Sequence, residues 1–468
     1  MTNLGEPLEQ TLTQAADGFD ADVGRLQCYI RQPSITALNQ GLDEMAGLLV
    51  ADIEALGGIA SVWPGPAFPI VYGKIDAGAE RTVLIHSMYD VVPADEPEWI
   101  VEPFAATRME FADKGDCIIA RGAEDTKGPV SVIFSALNAM RAADVPFPVN
   151  FLLIFEASEL GSADLPAFVD AYQDELRQAD VAYWPFFTQR ADGTPVVWLG
   201  IKGLTTFKLR CTGGDWGGPA RGDLHSGNAT WFGNPAERLI AAIACLRKPD
   251  GTIAVTDFYE GRGEPSEDEE RMIKILAQRL DGRRILEEFG VARFRQDSME
   301  DAIRAQCFDS PMNIAGLKSG FVVDDAHKAI IPGEAVASMD LRCVGGMTPE
   351  GVERALRRHL DAHGFEDVTL EILNSYGGGG TPAGNWAVRS LLGTYETCGL
   401  DPEVWPRGSI SIASGLFTNF LGMPWIATLP GHAGGKHGPN EYLQIDGYRR
   451  AIEFLIRLLY RIAAAERD

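Results

Sequence analysis

The chain reads as an α/β protein: a mixed, mostly parallel sheet flanked by helices, with an inserted α+β unit. Three observations predict this. Its 468 residues exceed what one compact core holds, so two domains are expected. Up to Ile201, apolar β-type runs alternate with stretches of helical spacing, the pattern of strands joined through helices. From Gly203 to about Tyr376 the character changes to glycine-rich loops, alternating strands and amphipathic helices. The expected partition is 1–202 and 381–468 for the α/β domain, with 203–380 as a lid or dimerisation domain between its halves.

The elements follow in order. Leu8–Gln27 and Gly41–Leu56 have helical spacing, the second closed by Gly57-Gly58. Strands are expected at Ile70–Ile75, Thr82–His86, Val149–Phe155 and Val196–Ile201, with a helix at Pro129–Ala142 that starts on its proline. In the inserted unit a strand at Thr205–Cys211 precedes helices at Pro235–Leu246 and Glu267–Phe289. A strand at Ala335–Cys343, a helix at Pro349–His363 and a strand at Val368–Leu373 complete it. Thr348 before Pro349 supplies an N-cap, and Gly364 a C-terminal stop. Gly377-Gly-Gly-Gly380 reads as a flexible return linker. Asn385–Cys398, a segment Ser411–Leu421 and the amphipathic helix Gly447–Ala464 finish the chain.

The net charge of -25 excludes non-specific partnership with nucleic acid or anionic membranes, which needs basic patches. Seven scattered cysteines, an odd number with no Cys-x-x-Cys pair, read as reduced thiols in the cytoplasm. Met1-Thr-Asn-Leu-Gly-Glu-Pro has neither the basic nor the apolar region of a signal peptide. No run of about 18 apolar residues is present, so no membrane-spanning helix is expected.

Four motifs carry chemistry. Thr82-Val-Leu-Ile-His-Ser-Met-Tyr-Asp90-Val-Val-Pro93 continues an apolar strand. It is followed by Arg121-Gly-Ala-Glu-Asp125-Thr-Lys-Gly-Pro129, Phe155-Glu-Ala-Ser-Glu159-Leu-Gly-Ser162 and, late in the chain, His437-Gly-Pro-Asn-Glu441. Singly, Asp90 and His437 read as turn or loop residues, Asp125 as an N-cap and Glu159 as a cap after a strand. Jointly they supply what amide hydrolysis needs: carboxylates and an imidazole that hold a metal, and a general base.

In this order the motifs resemble the active-site strand ends of the M20 family of zinc or manganese peptidases. The resemblance extends to Asp223-Leu-His225-Ser-Gly227, Lys328-Ala-Ile-Ile-Pro332, Asp340-Leu-Arg342 and Gly408-Ser409-Ile410, the first of these as in carnosinase-like dipeptidases. It implies a catalytic domain with a smaller lid that mediates a homodimer, and a dipeptide or N-acyl amino acid as substrate. It implies Asp125, Glu159 and His437 as metal ligands, with Asp90, Glu159 and His225 in catalysis. His225 would reach the partner's active site, and Arg342 and Ser409 would bind substrate, Arg342 its carboxylate.

The sequence also departs from that family. Two metals are usual there, bridged by the residue matching Asp125. One of them is completed by a histidine where Met88 stands here, and by an aspartate near Tyr183-Trp184-Pro185, where no carboxylate exists. Thioether and indole are poor ligands for such ions, so that site is expected to be lost. His86, on the same strand face, replaces the lost histidine only if the site has shifted. The family's Glu-Glu pair is a single Glu here. One alignment makes Glu159 the ligand with Ser158 at the base position; the other makes Glu159 the base and leaves the ligand missing. Glu156 lies on the opposite strand face unless a bulge intervenes. Ala329 stands where a threonine is usual, and His432 and His327 read as loop residues. The expectation is a hydrolase with one zinc or manganese per subunit, or with none. The alternatives are metal-independent acid/base chemistry on an amino-acid-like ligand and a retired enzyme that only binds.

Overall fold

The computed structural model describes residues 5–157 and 161–466. Its larger sheet has nine strands. Four central ones, Asn150–Glu156, Thr82–Met88, Val181–Gln189 and Trp425–Gly434, lie side by side and parallel. Ile70–Ile75 and Ile59–Trp63 add antiparallel on one flank. Tyr442–Gln444, Asp116–Ile119 and Thr107–Glu110 add antiparallel on the other. The parallel strands are mostly apolar because both faces are covered. On Thr82–Met88, Val83 and Ile85 join a core under helices Phe19–Arg31, Lys127–Ala142 and Ile445–Ala464. Leu84 and Met88 point the other way, into a core with Phe168, Trp184, Phe186 and Phe417. Among the described residues no helix is long and apolar enough to cross a membrane.

The second sheet holds Met312–Ser319, Glu334–Cys343, Gly200–Thr212 and Thr369–Tyr376, antiparallel in that order. Helices Pro235–Cys245 and Pro349–Ala362 bury Leu239, Ile243, Leu356 and Leu360 against it, around Phe207 and Leu341. Gly200–Thr212 is continuous across the expected boundary. Its first residues pair with Gly379–Gly380 and Gly408–Ser411.

Several elements differ from expectation. Leu8–Gln27 is two helices, Gly5–Asp17 and Phe19–Arg31, broken at Gly18. Glu267–Phe289 breaks at Leu280, and the Asp281 carboxylate then accepts the Arg283 N–H at 2.9 Å to start a new helix. The helix expected from Pro129 begins at Lys127, two residues earlier. Val196–Ile201 is the end of one strand, Val196–Trp198, and the start of the next. Ser411–Leu421 is a strand end followed by a π-helical turn, Leu416–Phe420. Gly377–Gly380 is a packed crossing: a Cβ on Gly378 would lie 2.4 Å from the Gly203 nitrogen and 2.5 Å from the Ile201 oxygen. A flexible linker has no such neighbours.

Candidate active site

The C-terminal ends of the four parallel strands form one rim, and the chemistry-bearing loops leave from it. Asp90 follows Thr82–Met88 and is fully buried. Its carboxylate accepts a short hydrogen bond from the Thr36 hydroxyl, and its backbone carbonyl accepts one from the Thr126 hydroxyl at 2.7 Å. Asp125, 8% exposed, precedes a cis peptide bond to Thr126. The loop after Trp425–Gly434 brings His437 over it, with His437 Nε2 3.6 Å from Asp125 Oδ2. That is longer than an ordinary N–H···O bond of about 2.9 Å. It is close to the roughly 3.4 Å between two ligand atoms that sit about 2.1 Å from one tetrahedral ion. The donor types and their spacing therefore fit a divalent metal.

The loop holding Asp125 is fixed from behind by Glu441. This fully buried carboxylate accepts N–H bonds from Gly122 at 3.1 Å, Glu124 at 2.8 Å and Asp125 at 3.0 Å. Its second oxygen takes the Arg121 guanidinium at 2.8 Å, and Arg121 reaches on to Glu96 at 2.9 Å. Burial pushes the Glu441 carboxyl up to about 7, against the opposing pull of the Asp125 N–H and the Arg121 charge. Lys436 also enters the site. Its N–H donates to Glu124 at 3.1 Å, its ammonium lies 3.6 Å from the same carboxylate, and it sits 4.3 Å over the Phe186 ring. Glu124–Lys436 and Asp125–His437 are thus neighbouring pairs across the same two loops. Sequence reasoning missed Glu441 and Lys436, although both flank or end the His437 motif.

Met88 is 7% exposed and lies in the apolar cluster with Trp184, Phe186 and Phe417. His86 points to that face too, but its Nε2 is 2.7 Å from Glu156 Oε1, which also accepts the Ser162 hydroxyl at 2.9 Å. Both His86 and Glu156 are buried, and each partners the other. Glu159 and Ser158 lie outside the described residues. His432 is a buried structural histidine, bonded to the Gln189 carbonyl at 2.9 Å and the Tyr442 hydroxyl at 2.8 Å, and His327 is exposed.

The remaining candidates sit in or beside the second unit. Arg342, near the end of Glu334–Cys343, donates to the Ser411 hydroxyl at 2.8 Å; Ser409, two residues away, is exposed. Beside them Lys202 is almost fully buried and donates to the Asp309 carbonyl at 2.8 Å, and burial lowers its pKa to about 8. His225 is exposed on a two-residue strand paired with Ile330–Ile331, its Nδ1 accepting the Gly227 N–H at 3.1 Å. None of the described hydrogen bonds or ion pairs ties His225 to Asp125 or His437 within one chain.

Residues 84–461 match the model of peptidase family M20/M25/M40. The chain belongs to that family. It is an enzyme of the M20 peptidase type. The chain is 25% identical to the Cys-Gly metallodipeptidase dug1 of Schizosaccharomyces pombe, over 98% of both chains. It is 26% identical to the Beta-Ala-His dipeptidase of Mus musculus, over 70% of this chain and 67% of the other. The M20 family metallo-carboxypeptidase Sso-CP2 from Sulfolobus solfataricus superposes with a TM-score of 0.86 and 28% identity, covering 94% of this chain and 99% of that one. The Sso-CP2 superposition spans both the mixed sheet and the additional α+β unit.

Proposed function

We propose that this family member hydrolyses the amide bond of a dipeptide or N-acyl amino acid at a reduced site with one divalent ion, zinc or manganese. Asp125 and His437 hold the ion, with Glu159 as the third ligand by its motif. The observation that carries this reading is the approach of His437 to Asp125 at 3.6 Å. The relatives named as metallodipeptidase and dipeptidase support the substrate class. When bound, the ion supplies Lewis acidity and an activated water.

The protein's own groups do the rest. Glu441 fixes the Asp125 loop through three N–H bonds. Asp90 acts as a positioning residue behind that loop through the Thr126 hydroxyl. Met88 and Phe186, in an apolar cluster, support the loss of a second ion. Lys436, held between Glu124 and the Phe186 ring, brings a positive charge to that side of the site and steadies the developing oxyanion. Arg342 takes the substrate carboxylate, with Ser409 beside it. Residues 203–380 act as the lid and dimerisation domain, and 1–202 with 381–468 as the catalytic domain. His225, exposed on its own chain, serves the partner subunit's site. The edge strand Met312–Ser319, exposed along most of its length, supports pairing with a second copy. Free thiols at all seven cysteines fit a cytoplasmic setting.

Elemental analysis of protein purified without added metal tests this. About one ion per subunit more than in His437→Ala is expected, with chelator-sensitive turnover of Cys-Gly, β-Ala-His or N-acyl amino acids. A difference of two ions per subunit between the protein and His437→Ala would refute the reduced site. A metal-free protein with chelator-resistant turnover would favour acid/base chemistry instead.

A further inference from the structure

A second group of metal-binding side chains lies in the inserted unit, remote in the fold from Asp125 and His437. Cys245, His359 and His363 each place one donor atom within 4.8 Å of the others. Cys245 is the last residue of helix Pro235–Cys245, and the histidines occupy the last turn and the end of helix Pro349–Ala362. His359 and His363 are four residues apart, so they share a helix face. Their rings lie 4.1 Å apart between centroids.

Three features suit this cluster to a cation. First, two helix C-termini converge on it, and the negative ends of both dipoles favour positive charge there. Second, each imidazole has one nitrogen occupied by a backbone carbonyl. His359 Nε2 bonds the Cys245 carbonyl at 2.9 Å, and His363 Nδ1 bonds the His359 carbonyl at 2.7 Å. As N–H donors, those nitrogens leave His359 Nδ1 and His363 Nε2 with lone pairs, the arrangement that supports histidine ligands from behind. Third, the set is graded in burial: His359 is buried, Cys245 half-buried and His363 exposed, which gives an ion a way in.

We infer that Cys245, His359 and His363 form a second metal site, for zinc or a similar borderline divalent ion, with the fourth position open to solvent. One sulfur and two nitrogens suit such ions over magnesium or calcium. Binding replaces the Cys245 S–H···O bond to the Ala242 carbonyl, 3.0 Å long, with a sulfur–metal bond. One thiol proton leaves to solvent for each ion bound. The ion clamps the ends of two helices that pack on the same face of the second sheet, so its role is to stiffen the inserted unit.

Cobalt(II) titration of the full chain tests this in a His437→Ala background, which removes the proposed catalytic ion from the count. The expected result is one equivalent bound, with tetrahedral visible bands and an intense near-ultraviolet thiolate-to-cobalt band. Adding Cys245→Ser should abolish the thiolate band, although the other six cysteines remain. His363→Ala, at an exposed position, should weaken binding at least tenfold and serves if the serine variant fails to fold. Zinc should raise the melting temperature of the background protein but not of the Cys245→Ser form. Absence of a thiolate band, or one that survives Cys245→Ser, would overturn the inference. Neither result depends on hydrolytic turnover or on a metal at Asp125.

Discussion

Glu441 and Lys436 show how much of the site depends on groups outside the proposed metal-ligand set. Glu441 has its pKa raised from 4.5 to about 7 by burial. The folded chain therefore keeps a proton between pH 4.5 and 7 that the unfolded chain releases. This contribution to stability is complete below pH 4.5 and is lost as the pH rises through 7. Urea midpoints measured across that window should fall less steeply in Glu441→Gln, which has no proton to lose. An unchanged slope would mean that Glu441 is already ionised throughout. For Lys436, replacement by Met should lower kcat/KM by about 10- to 100-fold, or roughly 1.4–2.8 kcal/mol of barrier, with metal content unchanged. Lys436→Arg should recover part of that loss, and a Met variant with wild-type kcat/KM would remove Lys436 from the site. Asp125 and His437 were legible because their residue types sit in recognisable motifs. Glu441 stood in the same motif, yet its task is set by an N–H 316 positions away, which no local pattern reveals.

Among the elements, two of the four central strands were concealed in the sequence. Val181–Gln189 carries Pro185 and Trp425–Gly434 carries Pro430, and proline argues against a strand in the middle of a sheet. The structure accommodates them where the pairing of these two strands slips register, between Ala427 and Leu429 and again between Leu429 and His432. Ile70–Ile75 on the flank and the central strands Thr82–Met88 and Asn150–Glu156, all free of proline, were readable. Composition misled in the opposite sense at Gly377–Gly380, where four glycines looked like slack and three of them, Gly378, Gly379 and Gly380, are in close contact. Gly378→Ala should lower stability by about 1–3 kcal/mol or more through overpacking. Gly384→Ala, where a Cβ meets nothing within 4 Å, should change it little. Equal denaturation midpoints for the two variants would show that the crossing is looser than its contacts imply.

At the scale of the whole protein, the proposed service of His225 to a partner's site becomes a prediction about concentration. If a second copy completes the site, specific activity should fall on dilution, in step with dissociation measured by light scattering. His225→Ala should cut kcat while leaving KM and the dimer largely intact. Activity independent of dilution down to monomer would remove His225 from catalysis. The broad plan was readable because apolar periodicity reports layers, and the change in pattern after Ile201 reports a new unit. Which copy a loop serves depends on a surface that one chain's pattern does not encode. The order in which the sheet is built has a further consequence. Trp425–Gly434 lies between Val181–Gln189 and Tyr442–Gln444 in the middle of the large sheet, although it is translated long after its neighbour Val181–Gln189. A ribosome-bound chain would carry an open gap in its principal sheet until residue 434 has emerged. Chaperone occupancy during synthesis should therefore persist late, and truncation before residue 425 should yield an insoluble polypeptide instead of a weakened enzyme.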